Sequence, residues 1–516
     1  DETTSEETPT DDDTEGAGGE PAASGGEFSI FSTEPPTLLT GNASDTTSGA
    51  VLGALYSALF ELDSESGEAV PVVAASADTE DGQSWTITLN DGWTFHNGEP
   101  ITAQTYVDTW NFMVDPDNGL TQEYYFEDFA GYAEVRDGSA ETMSGLSAPD
   151  DSTIEVELTA PLSAFTSKLT MSVFYPLPAE AFEDYEAFQE EPIGNGPFMM
   201  DGPWEHDVQI AMTRYEDWPG ENPPNADRIV WKIYAEPETG YLDAQAGNLD
   251  IMPSIPPARI ATVEGDFPEG YLTFPSSTFT YLGYPLYDAQ YENPDIRRAL
   301  SMAIDRQAVI DAIFNGTLAP ADGPIPPVMS AYREGSCEAC VYNPEEAAEL
   351  YEAAGGPSNV TVWFNSGAGH EEWVEAITNM WQQHLGVTAE FNVLEWGDFL
   401  DVNTAKEFTG PFRLGWASQY PDPGYALQFL RSTNSSNGVG YDNPEFDRLH
   451  SEAAGAPSVE EANALFEQAE DVVLADMPLI PLWYGVYHSI HSDNVSDLTI
   501  DFRGRVVLND VTVNNG

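Results

Sequence analysis

Residues 85–113 (WTITLNDGWTFHNGEPITAQTYVDTWNFM) carry the sharpest change of pattern in the chain. Trp85, Ile87 and Leu89 alternate with polar residues, the period of a half-buried strand. Asn90-Asp91-Gly92 and Asn97-Gly98 are turn signals, because Asn, Asp and Gly tolerate positive φ. Thr102 then stands as the N-cap of a helix running to about Met113.

The same reading extends along the chain. Alternating or continuous apolar runs predict strands at 28–31, 152–158, 228–235, 359–365, 387–394, 411–417 and 479–483, with a β-like end at 500–513. Helical spacing predicts helices at 48–59, 242–249, 345–354, 371–385, 446–453 and 459–476. The clearest helix opens at Asn293-Pro294-Asp295, with Ile296, Ala299, Leu300, Ala303, Ile304, Ile310 and Ile313 as its apolar stripe and Gly316 just past its end. Core packing accounts for that stripe. The βαβ alternation over 359–394 implies an α/β lobe. Residues 192–198 (PIGNGPF) form a Gly/Pro crossing that reads equally as a turn or as a hinge between lobes. No internal repeat is visible.

Charge narrows the choice of partner. The 516 residues hold 16 basic and 89 acidic side chains, a formal net charge of −73. Lys168, Lys232 and Lys406 are the only lysines. Such a surface repels nucleic acid and anionic lipid and argues against both as partners. The acids are spread along the whole chain, which fits solubility in a salty or extracytoplasmic setting. No D-x-[DN]-x-[DN]-G calcium loop is present, and no cofactor or metal is expected. No apolar run approaches the roughly 18 residues of a membrane span, and no signal peptide is seen. Residues 1–27 contain ten acids, no base and no aromatic, a composition that predicts a disordered linker. A secreted or lipid-anchored protein, its anchoring Cys upstream of Asp1, is the expectation.

Cys337 and Cys340 are the only cysteines. Zinc wants four ligands, and no second pair exists. A redox pair usually opens a helix in a βαβ unit, whereas here the helix begins several residues later, after Pro344. A short structural disulfide in an oxidising compartment is expected.

Seven blocks, in order, resemble the extracytoplasmic solute-binding proteins that serve peptide and nickel ABC importers. They are 85–113; 192–198; 291–306; 381–400; Gly415-Trp416 with Tyr420-Pro421-Asp422-Pro423; 441–447; and 476–482. The resemblance implies an α/β fold of the large type II periplasmic-binding kind. Two lobes are joined by crossing strands, with an extra domain on lobe I. Lobe I would combine 28–74, 193–283 and 488–516, the extra domain 75–192, and lobe II 284–487. It further implies a monomer without enzymatic activity that closes over its ligand and delivers it to a membrane permease.

An extended peptide presents N–H and C=O groups that must be paired when buried, and a cleft bordered by strand edges pairs them. The positions matching the family's contact strands are Ser44, Asp45 and Thr46 in lobe I and Gly415, Trp416 and Ala417 in lobe II. Trp396 matches a Trp that lines the cleft, and Tyr484 lies where an aromatic often faces ligand. His370 and Arg413 match residues that meet the carboxylate end of short peptides in one branch. An internal salt bridge for Arg413 and a surface position for His370 are the plainer alternatives. Family members often hold the peptide's α-amino group with an Asp in W-x-x-D-Y, whereas this chain reads Trp416-Ala417-Ser418-Gln419-Tyr420. An amide compensates an ammonium poorly, which weakens the case for a free N-terminus. Three functions therefore stand. One is oligopeptide capture. The second is the same scaffold with an N-blocked peptide, an oligosaccharide or a metal chelate, for which twelve Trp residues keep sugar stacking open. The third is a secreted hydrolase, against which speaks the absence of G-x-S-x-G, H-E-x-x-H or a P-loop.

Overall fold

Two 13-residue strands, Tyr271–Gly283 and Leu479–His491, run antiparallel through the middle of an 11-stranded sheet. The structure is a computed structural model, and it describes residues 25–63, 67–418, 420–456 and 458–514. Most of the expected linker, residues 1–24, lies outside the described residues. On one side of the crossing pair lie Ile251–Met252, Glu27–Ser32, Arg228–Ile233, Gln209–Arg214 and Phe198–Met200. On the other side lie Phe412–Ala417, Asn359–Asn365 and, at the edge, Thr388–Leu394, while the short Ala319–Pro320 pairs with Leu479–His491 off this path.

Each end of the crossing pair is anchored in its own core. One core gathers Phe28, Trp110, Phe174 and Trp231. It includes the residues 85–113 block. Ser84–Leu89 is a strand of a separate four-stranded antiparallel sheet, with Trp85, Ile87 and Leu89 buried. Ala103–Val114 is the helix that follows, where Thr105 Oγ1 accepts the Thr102 N–H at 3.1 Å. At the other end two cores flank the sheet, one around Phe279, Tyr281 and Phe429, the other around Leu282, Trp373, Trp381 and Ile480. Neighbours Tyr281 and Leu282 enter opposite cores, as the strand period of two requires.

Between these ends the crossing strands slip register twice. Pro275 faces Val486 and Phe279 faces Tyr484, so Ser276, Ser277 and Thr278 oppose Gly485 alone. A Cβ on Gly485 would lie 2.5 Å from Ser276 Oγ, so any other residue here would make Ser276 shift. Leu482 is the extra residue of the second slip.

Several expected elements shift. The helix expected over 293–316 is two helices, Pro294–Met302 and Arg306–Ile313. Asp305 starts the second by accepting the Ala308 N–H at 3.0 Å. Buried Arg306 seals the break, donating to the carbonyls of Ser301, Ile304, Cys340 and Pro481. The helix expected at 48–59 is Thr46–Leu55, and the strand expected at 479–483 extends to His491. The helix expected at 242–249 begins earlier, at Pro237–Gln245, because Pro237 occupies its first turn. At the C-terminal end, only Thr512–Val513 and an Ile500–Val506 bridge are extended pairs.

The Gly/Pro crossing at 192–198 is pinned. Buried Asn195 accepts from Ser57 N and donates to Ser57 O, both at 3.1 Å. A Cβ on Gly194 would lie 1.8 Å from Leu55 O. Cys337 and Cys340 are joined, with S–S 2.08 Å. Among the described residues no helix is long and apolar enough to cross a membrane.

Candidate functional site

Strand Asn359–Asn365 runs parallel to Thr388–Leu394 and meets Phe412–Ala417 only where Trp363 faces Phe412. Parallel strands point their carboxyl ends at a common crevice, where open α/β sheets bind ligands. At this end Asn365 leads into Ser366-Gly367-Ala368-Gly369, with φ of 75° at Gly367 and 71° at Gly369. Helix Glu371–Leu385 follows, with His370 as its N-cap.

The imidazole of His370 is buried at 8% exposure. Its Nδ1 accepts the Trp373 indole N–H at 3.2 Å, which leaves the proton on Nε2. Nε2 is buried and has no partner. Burial, with the neighbouring Arg413 charge second, pushes this ring down to about 4. The site therefore presents a neutral, unused N–H donor.

Arg413 is set by the sheet, opposite Leu282 of the crossing strand. Its Nη1 reaches Asn365 Oδ1 at 3.5 Å, a distant contact, and its Nε is buried without a partner. No carboxylate lies within ion-pair distance of it among the described residues. Burial holds its pKa below the usual guanidinium range. The chain that carries 89 acids pairs none of the described ones with this cation.

Beyond Phe412 the same strand has a single partner. Leu414, Gly415, Trp416 and Ala417 pair with Tyr281, Thr280, Phe279 and Thr278 of the crossing strand, while Asn359–Asn365 pairs as a strand only at Phe412. The other backbone edge of 414–417 is open, with Gly415 and Ala417 exposed. Trp416 is oriented by its indole N–H, which donates to Tyr425 O at 2.9 Å. Trp396 heads helix Trp396–Ala405, 46% exposed and stacked on Phe399 at 6.0 Å.

Other expected residues are placed differently. Ser44, Asp45 and Thr46 form no strand. Asp45 caps helix Thr46–Leu55, its carboxylate accepting the Ser48 N–H at 2.9 Å, and Ser44 and Thr46 are exposed beside it. Asp is among the strongest N-caps, and that local preference prevails over an extended conformation. Tyr484 is buried in the core with Phe279, and its hydroxyl donates to Gly323 O at 2.8 Å and Ile325 O at 3.2 Å. It is not available to a ligand in this arrangement. Gln419 lies outside the described residues.

The sequence reading missed Asn365 and the glycine loop 366–369, although a Gly-x-Gly just before a helix was a usable signal.

A cavity of about 710 Å³ lies elsewhere, bordered by helix Thr46–Leu55, Trp93, Trp218 and 501–510. None of the residues just described lines it. Its Arg505 is already paired with Asp501 at 2.6 Å. Volume points there, but unpaired polar groups point to the Arg413 crevice, and the latter bears on recognition.

Residues 68–438 match the family model of bacterial extracellular solute-binding proteins, family 5, middle region. The oligopeptide-binding protein OppA of Bacillus subtilis is 25% identical over 497 residues, 92% of this chain and 90% of its own length. Among solved structures, the unliganded open form of the periplasmic murein tripeptide-binding protein MppA superposes with a TM-score of 0.90 at 22% identity, covering 95% of this chain and 98% of that one. Another structure of MppA, from Escherichia coli, superposes at 0.68 and 22% identity, covering 95% of this chain and 99% of that one.

Proposed function

The chain belongs to family 5 of the bacterial extracellular solute-binding proteins, and from that premise we propose that it captures oligopeptides outside the cell and delivers them to an ABC permease. In this reading the peptide lies along the open edge of 414–417 as an added strand, its backbone paired with that edge. Arg413 and the Nε2–H of His370 receive its carboxylate. Trp396 and Trp416 border it. We propose lobe I as 28–74, 193–283 and 488–516, the extra domain as 75–192 and lobe II as 284–487.

The observation that carries this reading is Arg413: a half-buried guanidinium with no carboxylate partner among the described residues of a chain of net charge −73. The buried structural arginines without an acid, Arg297 and Arg306, each donate to several backbone carbonyls, whereas Arg413 has only the distant Asn365 contact and an unpartnered Nε. An arginine left without such partners suits an anion that arrives from outside. We propose that this arrangement is an open state, as in the unliganded open form on which it superposes, and that it closes when ligand adds contacts between the lobes. The acidic, aromatic-free composition of 1–27 supports a tether, and we propose a lipid anchor on the outer face of the membrane.

Native purification from a peptide-rich host, native mass spectrometry and denaturing release of the ligand test the proposal. A ladder of short peptides is the expected result. A single non-peptide mass, or a protein that stays empty in a peptide mixture, would sink it.

A further inference from the structure

The two crossing strands join the cores at either end of the molecule, and one side chain spans the bulge between them. His488 lies three residues past Gly485 and faces Thr273. Its neighbours belong to one end. Tyr487 packs against the core of Phe28 and Trp231, and Ile490 is buried with Tyr241 and Met252, against which Tyr271 also packs. The imidazole, 8% exposed, reaches towards the other end. Its Nε2 lies 3.0 Å from the carbonyl oxygen of Thr317. Phe314 and Leu318, on either side of Thr317, pack against the core of Leu282 and Trp483, and Ala319 pairs with Tyr484.

A carbonyl only accepts, so Nε2 of the neutral ring carries the proton and donates it to Thr317. Nδ1 then accepts the Tyr271 hydroxyl at 2.6 Å, and the two rings lie within 13° of parallel, centroids 6.0 Å apart. Tyr271 thereby orients the ring, and the ring ties one side of the bulge to the other. The bulge is bonded to the strand Phe412–Ala417 as well. Thr278 pairs with Ala417, and Ser277 Oγ donates to Ser418 O at 3.1 Å. Strand Phe412–Ala417 and Thr317 therefore lie on the same side of the bulge, and His488 lies on the opposite side. A bend at Gly485 that moves this strand against the far lobe also changes the separation of His488 and Thr317.

We propose that His488 is a positioning residue for ligand capture: its bond to Thr317 holds the lobes in the arrangement of this structure and is released when they close. The inference rests on the reading of that arrangement as the open state of a peptide receptor. A bond made only in the open state lowers the closed fraction, and the apparent affinity for ligand falls with that fraction. Loss of one such hydrogen bond changes the ratio of the two states by about three- to tenfold.

The test is calorimetric titration of tri-, tetra- and pentaalanine into the full chain and its variants, with melting curves to verify each fold. His488→Phe keeps a ring and removes the donor, and His488→Met is a second donor-free variant. His488→Gln retains an amide N–H donor and serves as the rescue. Ser489→Ala is the control, because Ser489 Oγ donates to Pro253 O at 2.6 Å, a bond that lies wholly at one end of the crossing strands. Both donor-free variants should bind about three- to tenfold more tightly than the wild type, with His488→Gln and Ser489→Ala within about twofold of it. Unchanged or weaker binding in both donor-free variants, or equally tightened binding in Ser489→Ala, overturns the assignment and leaves peptide capture standing. If no peptide binds any of these proteins, peptide capture fails and small-angle scattering of the free proteins decides the role of His488. A smaller radius of gyration in His488→Phe than in the wild type then supports it, and an equal radius overturns it.

Discussion

A guanidinium taken out of water without an acid is costly, and Arg413 carries that cost in the unliganded protein. Arg413→Met should therefore leave the melting temperature unchanged or raise it, while peptide affinity measured by titration falls by about tenfold or more. A purely structural arginine would show the reverse, lost stability with affinity kept. His370 gives a pH signature. Its ring titrates at about 4 in the folded chain against 6.5 for an ordinary histidine. The folded state thus binds the proton less well than the unfolded state. Stability should fall as pH drops from about 6.5 to about 4, and the loss is complete below that window. Melting curves of His370→Gln should lack this part of the acid sensitivity. His206 has the opposite sign. Its hydrogen bonds to Glu34 and Glu190, at 2.7 and 3.0 Å, raise its pKa. That contribution is present below the ordinary histidine pKa and lost as pH rises through the folded value, weakly, because the ring is exposed to solvent.

Among the elements, strand Phe412–Ala417 matters most because it is half used. One edge is committed to the crossing strand and the other is open beyond Phe412. Hydrogen exchange should report this directly. Amides in 414–417 that face the open edge should gain protection when peptide binds, while those bonded to Tyr271–Gly283 should change little. Protection confined to other segments would place the ligand elsewhere. The crossing strands are the complementary case. Their pairing slips by one residue at Leu482 and is interrupted more widely at the bulge opposite Gly485, where Ser276 Oγ also accepts the Thr278 N–H at 3.1 Å. Loosened pairing at that point suits a bend between two well-packed ends.

For the whole molecule, charge and lobe arrangement set the behaviour. A formal charge of −73 repels itself, and salt screens that repulsion. The melting temperature should rise between about 0.05 and 1 M NaCl, where the Debye length falls from over 10 Å to about 3 Å. Ligand should make the molecule more compact. Small-angle scattering with a tightly bound peptide should give a smaller radius of gyration than the free protein. An unchanged radius would mean that binding does not close the lobes.

The sequence by itself determined the local elements and the family. Strand Asn359–Asn365 and helices Glu371–Leu385 and Val459–Asp476 stand where their periodicity puts them, because side-chain spacing encodes which face is buried. Departures came where a local rule met a tertiary partner. The helix expected to run to Gly316 breaks at Asp305 because Arg306 finds carbonyls on distant segments. Tyr484, expected at the ligand, is held in the core by the carbonyls of Gly323 and Ile325, about 160 residues away in sequence. What only the tertiary structure decided is which polar groups remain unused. Arg413 and His370 look like many other residues in a list of letters. Whether a charge is paired depends on which distant segments the fold brings within a few ångströms, and no local pattern records that.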